Sequence, residues 1–567
     1  MSREFLKLIL LPLLLLIMLS GFLLTSSAFA ALERQPYLQS VSDTRVVVRW
    51  RTTSATTSRV RYGSSVGNLN NSIDDASSTT EHEVVISGLN SNRKYFYSVG
   101  TTSGDIEAGN DADHYFFTAP DIGSSQKVRI WAIGDPGTGT ADQKNVRDAY
   151  YNLDSVKTDV VLTLGDNAYS SGTDSEYTSN FFNIYNDLFR HAPVWATRGN
   201  HEKNPGVYET AFTHPKNAES GGVSSGTELY YSFDYGNIHF VCLDSFTLSN
   251  LNGTAMHTWL EADLASTTQK WIVAFWHHPP YSRSSSHDSD SEPGQKITRE
   301  KANPVLERYG VDIQLGGHNH FYSRTVLING HYGLSNTYNP ATHAVDTGNG
   351  RADGDGVYDK VSNIEGAVYV LAGSSGKKGY TPINHPANFI ESVEFGSLVI
   401  DVEGDQMDVR MLRENGTIED YFSITKSSST NRTPSVYAGI DHNIEVGIAV
   451  TLDATVSDDG LPGNALSVIW SKISGPGEAS FSDPGTIDTT VTFPVTGSYV
   501  LRLEASDSVL TGSDEVIITV TDKGVSGSKT GFLDLSLLTA LTLLLFFRLL
   551  SQYRLINVFR PLIRQKN

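Results

Sequence analysis

Apolar and polar positions follow two different periods along the chain, and the period changes where the domains change. Over residues 31–119 short apolar runs alternate with polar residues. "TRVVVRWRT", reaching Trp50, reads as a half-buried strand, and "GLNSNRKYFYSVG" as a turn-rich stretch feeding a second one. "PDIGSSQ", at 120–126, is a linker. From Lys127, strand-like runs alternate with stretches of helical period: "VRIWAIG", "QKNVRDAYYNL", "DVVLTLG", "FFNIYNDLFR". Such alternation specifies an α/β domain, and it continues to Lys426. "KSSSTNRTP" is a second linker. Residues 434–522 return to strand period in "AVTLDATVSDDG", "LSVIWSKISGPG", "GSYVLRLEASD" and "DEVIITVTD". The two β modules are not repeats of each other.

The two ends are apolar rather than periodic. Arg3 and Lys7 precede an apolar stretch from Leu8 to Leu24, and Ala28-Phe29-Ala30 supplies the small residues of a cleavage site. Residues 1–30 therefore read as a signal peptide, with a membrane anchor as the alternative. At the other end a Gly/Ser linker, 523–531, leads into "FLDLSLLTALTLLLFFRLL", 532–550, and then a basic tail, 551–567. Arg554, Arg560, Arg564 and Lys566 place that tail on the cytoplasmic side and the bulk of the chain outside. Asp534 and Arg548 shorten the apolar core of 532–550, which is expected to be a transmembrane or sorting segment. The order Gly/Ser, apolar, basic resembles bacterial C-terminal tails that are cut after export. The expected location is the cell envelope or cell surface, with release after C-terminal processing as a variant.

Composition narrows the function classes. The 567 residues exceed what one core accommodates. There are 43 basic and 63 acidic residues, a formal charge of −20, which argues against a nucleic-acid binder. The one cysteine, Cys242 in "IHFVCLDS", excludes an intramolecular disulfide. It reads as a buried small residue rather than a nucleophile.

Candidate chemistry is concentrated in the α/β domain. Five stretches each follow an apolar run and offer a metal-capable side chain: "AIGDPGTG" with Asp135; "LTLGDNAY" with Asp166 and Tyr169; "ATRGNHE" with Asn200 and His201; "VAFWHHPPYS" with His277 and His278; and "LGGHNHFYSR" with His318 and His320. Loops at the carboxyl ends of strands are where α/β proteins assemble sites. Singly these fragments are ordinary turns or core histidines. Five of them in one domain are not what independent turns produce.

The set, Gly-Asp, Gly-Asp, Gly-Asn-His, His and Gly-His-x-His, resembles the calcineurin-like metallophosphoesterases, and within them the purple acid phosphatases. The resemblance covers roughly 127–425 and the β module before it. That module is similar to a fibronectin type III-like sandwich, with Tyr95 after Leu89 at its tyrosine corner. Residues 434–522 resemble a polycystic-kidney-disease-type immunoglobulin-like domain with Trp470 in its core. The fold implied is a four-layer αββα metallophosphoesterase sandwich flanked by two all-β immunoglobulin-like sandwiches.

The resemblance also implies roles. Asp135, Asp166, Tyr169 and His320 would hold one metal. Asp166 would bridge to a second, completed by Asn200, His277 and His318, at the spacing of about 3.5 Å usual in two-metal hydrolases. The pair implied is ferric iron with divalent iron, zinc or manganese. His277 is preferred to His278 because the family's ligand stands two residues before a proline, here Pro279. His278 would support the site or face substrate. His201 matches the phosphate-contacting histidine, and His287 falls in the loop that supplies another. His201, assisted by His287, is the expected proton donor to the leaving alkoxide. Many relatives carry a histidine two residues after the first aspartate, where this chain has Gly137, and Tyr169 is the natural replacement ligand.

The function expected is an exported acid phosphatase cleaving small phosphomonoesters with a metal-activated hydroxide. The alternatives are a phosphodiesterase or nucleotidase on the same metals, and a surface adhesion protein with a vestigial enzyme core. Membrane attachment would come through 532–550, and surface or polymer contacts through the β modules. "GDPGTG" and "AGSSGKKG" lack the ending of a nucleotide P-loop; the second is expected at the pocket rim. "GNGRADGDG" reads as a surface loop, and Asp458 with Asp459 as a solvated turn with calcium binding the alternative.

Overall fold

The computed structural model describes residues 31–204, 206–247, 255–360, 365–379, 381, 384–426, 434–458 and 466–522. The expected signal peptide, the 523–531 linker, the apolar segment 532–550, the basic tail and Asp459 lie outside the described residues. Among the described residues no helix is long and apolar enough to cross a membrane.

The α/β domain is built on two seven-stranded sheets. In the first, strands Val128–Ile133, Val160–Thr163 and Val194–Ala196 run parallel, and Gly396–Glu403, Gln406–Arg413 and Ile418–Thr425 extend it as an antiparallel meander. In the second, Ile238–Cys242, Trp271–Phe275, Ile313–Gly316 and Val368–Ala372 are parallel. The core lies between the sheets. Val128, Ile130, Ala132, Val160 and Leu162 meet Phe240, Val273, Phe275, Ile313 and Leu315 there. The opposite face of the first sheet, Trp131, Ile133 and Val161, packs under Tyr150, Phe181 and Tyr185 from the helical layer. Burial on both faces is why these strands read as continuous apolar runs.

The helix Ala141–Tyr151 starts where Thr140 accepts the Gln143 N–H. The helical stretch expected at "FFNIYNDLFR" begins earlier, as a π-helical turn Tyr177–Phe182 that runs into the α-helix Asn183–Phe189.

In the N-terminal β module, Tyr95 accepts the Asn90 N–H at 3.0 Å, as a tyrosine corner requires. One expectation needs correcting. The strand Arg45–Gly63 is not half-buried at its start, because residues 46–50 are all buried. Val46, Val48 and Trp50 face the module's own core. Arg49 faces the α/β domain, where it donates to the Thr210 carbonyl at 2.5 Å and the Thr213 hydroxyl at 3.0 Å. Tyr37 likewise donates to the Ala211 carbonyl at 2.9 Å. In the C-terminal module Trp470 is buried and donates to the Ile487 carbonyl. Cys242 is buried in its strand.

One buried ion pair sets a pH dependence of stability. His239 lies between Asp234 at 2.8 Å and Asp263 at 2.9 Å. Burial alone would lower its pKa, but the two carboxylates override this and raise it from 6.5 to about 9. The folded state therefore holds this proton more tightly than the unfolded state. The stabilisation is complete below about pH 6.5 and is lost as pH rises through about 9, a span worth on the order of 3 kcal/mol. His239→Gln is expected to flatten the fall of Tm over that interval. An unchanged slope in thermal scans would refute the assignment.

Candidate metal centre

All five chemistry-bearing loops leave the carboxyl ends of parallel strands. Asp135, Asp166 and Asn200 follow Val128–Ile133, Val160–Thr163 and Val194–Ala196 of the first sheet. His277 and His318 follow Trp271–Phe275 and Ile313–Gly316 of the second. The site therefore sits on the seam where both sheets end, which is why ligands so far apart in sequence converge.

Two contiguous groups result. Asp135, Asp166 and His320 bring one ligand atom each within 4.8 Å of one another. Tyr169 joins them, its hydroxyl 3.0 Å from Asp135 Oδ1 and 3.1 Å from His320 Nε2. Asn200 Oδ1 lies 2.9 Å from His277 Nε2 and 2.8 Å from His318 Nδ1. Asp166 Oδ1 stands 3.4 Å from His277 Nε2, so Asp166 touches both groups. His277 Nδ1 lies 2.8 Å from the Leu164 carbonyl, to which it can only donate, so Nε2 is the ring nitrogen that faces Asn200 and Asp166. Asp135 and Asp166 both have positive φ, 54° and 51°, a conformation Asp tolerates better than most residues.

The electrostatics call for cations. Asp135 and Asp166 are 0% and 1% exposed, and no lysine or arginine among the described residues pairs with either. Burial, and Asp166 against the opposing pull of His277, holds Asp135 above the usual carboxylate range. Burial would raise Asp166 too, but His277, His201 and the His201 N–H keep it below. Burial and the two carboxylates push the Tyr169 phenol well above its ordinary value, so in this state it donates to Asp135. Burial lowers His318 to about 4 and, with Lys377, His320 to about 3, which leaves both imidazoles neutral, as metal ligands must be. Two carboxylates, a phenol, an amide and three imidazoles are a donor set for hard to borderline cations.

The remaining expected residues lie around these groups. His201 donates its backbone N–H to Asp166 Oδ1 at 2.9 Å, and its Nδ1 lies 2.7 Å from the Ser170 carbonyl. His287 packs 4.1 Å from the His318 ring, with Nδ1 2.9 Å from Glu292 Oε2. His278 is only 6% exposed, 3.0 Å from the Ser245 hydroxyl and behind His318. Its ring offers one ligand atom to a group with Glu292 and His318 in which these atoms lie within 4.8 Å of one another.

Gly137 stands two residues after Asp135. A Cβ there would fall 2.1 Å from the Asn167 carbonyl oxygen, and the Gly137 carbonyl accepts the Tyr169 N–H at 2.8 Å. A side chain at 137 and the present path of the Asn167–Ala168 backbone exclude each other.

Three residues escaped the sequence reading. Glu292 joins His318, at 2.8 Å, to His287, at 2.9 Å. Glu202 accepts the N–H groups of Asn167 at 2.7 Å, Gly199 at 2.7 Å, Asp166 at 3.2 Å and Ala168 at 3.3 Å. Lys377, in the "AGSSGKKG" stretch that does line the rim, lies 4.5 Å from the Tyr169 ring centre. A glutamate directly after Gly-Asn-His was the visible signal for the second.

Comparison with known proteins agrees with this geometry. Residues 128–322 match the family model of the calcineurin-like phosphoesterases, 34–119 that of the purple acid phosphatase N-terminal domain, and 438–520 that of a PKD domain. Purple acid phosphatase 15 of Arabidopsis thaliana is 31% identical over 43% of this chain and 49% of its own length. Probable purple acid phosphatase 20 of the same plant is 27% identical over 51% and 68%. This chain thus spans about half to two thirds of the length of these curated relatives. The purple acid phosphatase PPD1 from yellow lupin seeds shares the fold, with a TM-score of 0.54 at 19% identity over 70% of this chain and 74% of that one.

Proposed function

We propose that this chain, whose residues 128–322 form a calcineurin-like phosphoesterase domain, is an exported binuclear-metal acid phosphatase acting on small phosphomonoesters. The observation that carries the reading is the pair of donor groups sharing Asp166. Asp135, Asp166, Tyr169 and His320 would hold one cation, and Asp166, Asn200, His277 and His318 the other. A phenol among the donors of the first group favours ferric iron there, with divalent iron, zinc or manganese in the second. Two such cations, held by these residues, would neutralise phosphate oxygens and lower the pKa of a bound water toward neutrality.

The chain's own groups do the rest. The Leu164 carbonyl fixes the His277 ring, and Glu292 fixes that of His318 with Nδ1 toward Asn200. The Ser170 carbonyl holds His201 Nδ1–H, which leaves Nε2 as the atom that carries a proton to the leaving alkoxide. Glu292 sets the orientation of His287 for contact with the phosphate. Attack by water leaves no role for a serine or cysteine nucleophile, so no covalent phosphoenzyme is expected. Export follows from the two apolar end segments, and the β modules would serve surface or polymer contacts.

The test is metal analysis, a visible spectrum and rates on nitrophenyl phosphate and bis(nitrophenyl) phosphate. Two metals per chain, a visible band and preference for the monoester are expected. Tyr169→Phe should abolish the band and lower the rate at least about tenfold by removing one donor. Preference for the diester would establish the phosphodiesterase reading instead. A metal-loaded chain inactive between about pH 4 and 9, the span of histidine and metal-water titration, would leave the adhesion reading standing.

A further inference from the structure

The rim of the centre carries a cation that the proposed reaction does not use. Lys377 follows the strand Val368–Ala372, on a loop whose backbone is clamped to the Asp135 loop. The Ser375 N–H donates to the Gly134 carbonyl at 3.0 Å, and Ser375 Oγ accepts the Gly134 N–H at 3.2 Å. Thr138 donates to the Gly376 carbonyl at 3.1 Å. A Cβ at Gly376 would fall 2.2 Å from the Pro136 carbonyl oxygen, so the two loops are in direct contact. The base of Lys377 is thus fixed beside the first donor group.

Its charge is not neutralised locally. Among the described residues no carboxylate forms an ion pair with Lys377, whereas the adjacent Lys378 lies 3.7 Å from Glu394. Nζ of Lys377 lies 4.5 Å from the centre of the Tyr169 ring, whose hydroxyl reaches Asp135 and His320. Beside the second donor group stands the Glu292 carboxylate, held between His287 and His318. Lys377 therefore places a positive charge beside the Asp135–Tyr169–His320 group. A chain of net charge −20 repels polyanions at long range. An uncompensated ammonium at the mouth reverses that locally. Lysine acts as a point charge on a flexible stem, suited to an anion whose position varies between substrates.

Resting on the phosphatase reading above, we propose that Lys377 is a specificity-determining residue that favours substrates bearing a second anionic group beside the scissile phosphate. The phosphate would lie at the two donor groups, and the second anion would extend over Tyr169 to Nζ. The rival role is structural: a cation packed on the Tyr169 ring that merely steadies it.

A matched pair of substrates separates the two. Glycerol 2-phosphate and 2-phosphoglycerate differ only in a hydroxymethyl group replaced by a carboxylate, and pyrophosphate supplies a phosphate as the second anion. The metal-loaded full chain is compared with Lys377→Met and Lys377→Arg. Wild type is expected to prefer 2-phosphoglycerate. Lys377→Met should cut that preference about tenfold, the worth of one charged hydrogen bond, and do so through KM. Lys377→Arg should retain most of it, and salt should weaken it in wild type. A parallel loss on pyrophosphate assigns the site to anions generally, and no loss there assigns it to carboxylates. Equal losses on glycerol 2-phosphate and 2-phosphoglycerate, or an unchanged ratio, overturn the proposal. Failure of wild type to cleave even glycerol 2-phosphate would instead strike the phosphatase reading itself.

Discussion

Asp166→Asn is expected to lower kcat/KM on a phosphomonoester by on the order of a thousandfold or more, and to reduce bound metal from two per chain to one or none. Asp166 is the side chain that touches both donor groups, 3.4 Å from His277 on one side and grouped with Asp135 and His320 on the other. Asparagine keeps its shape and an oxygen that can still accept the His201 N–H, now 2.9 Å from Oδ1. The second position becomes an NH2, which cannot ligate a cation. The fold should survive, because the φ of 51° at this position suits Asn as well as Asp. Metal analysis beside steady-state rates and a thermal scan checks all three statements. A variant that binds two metals and works within about tenfold of wild type would remove Asp166 from its bridging role.

The five donor stretches were legible because each lies immediately after a strand, where the local sequence carries both the apolar run and the residue presented at its end. Gly137 was legible as a missing histidine, and the Asn167–Ala168 backbone packed against it leaves no room for a side chain there. The residues that escaped act across gaps between loops distant in sequence. Glu292 makes sense only once His287 and His318 are known to flank it, and Lys377 only once Tyr169 lies beneath it. The strand from Arg45 misled for the same reason. Its alternation promised a solvated face, but the α/β domain covers that face through Arg49. Periodicity reports which residues share a face, not what covers it.

Glu202→Gln is expected to destabilise the α/β domain by about 3–5 kcal/mol and to impair metal retention with no proposed ligand altered. The Glu202 carboxylate is buried and accepts four backbone N–H groups. Asp166 and Gly199 donate to Oε2, and Asn167 and Ala168 to Oε1. It thereby ties the loop that carries Asp166 and Tyr169 to the loop that carries Asn200. Glutamine retains one acceptor oxygen and turns an NH2 toward the other pair of N–H groups. Whichever way the amide is turned, two buried N–H groups lose their acceptor and face a donor. The close packing leaves no room to adjust, since a Cβ on Gly199 would already fall 2.2 Å from Asp166 Oδ1. The two loops must then separate, and with them the donors of both cation positions. The cost exceeds that of a typical core substitution because the backbone groups cannot reach water. Thermal unfolding of the variant should show the α/β transition several degrees lower, and metal analysis should show partial occupancy. A Tm within about one degree of wild type would mean that the loops hold their positions without the carboxylate, and that the strand ends alone fix the centre.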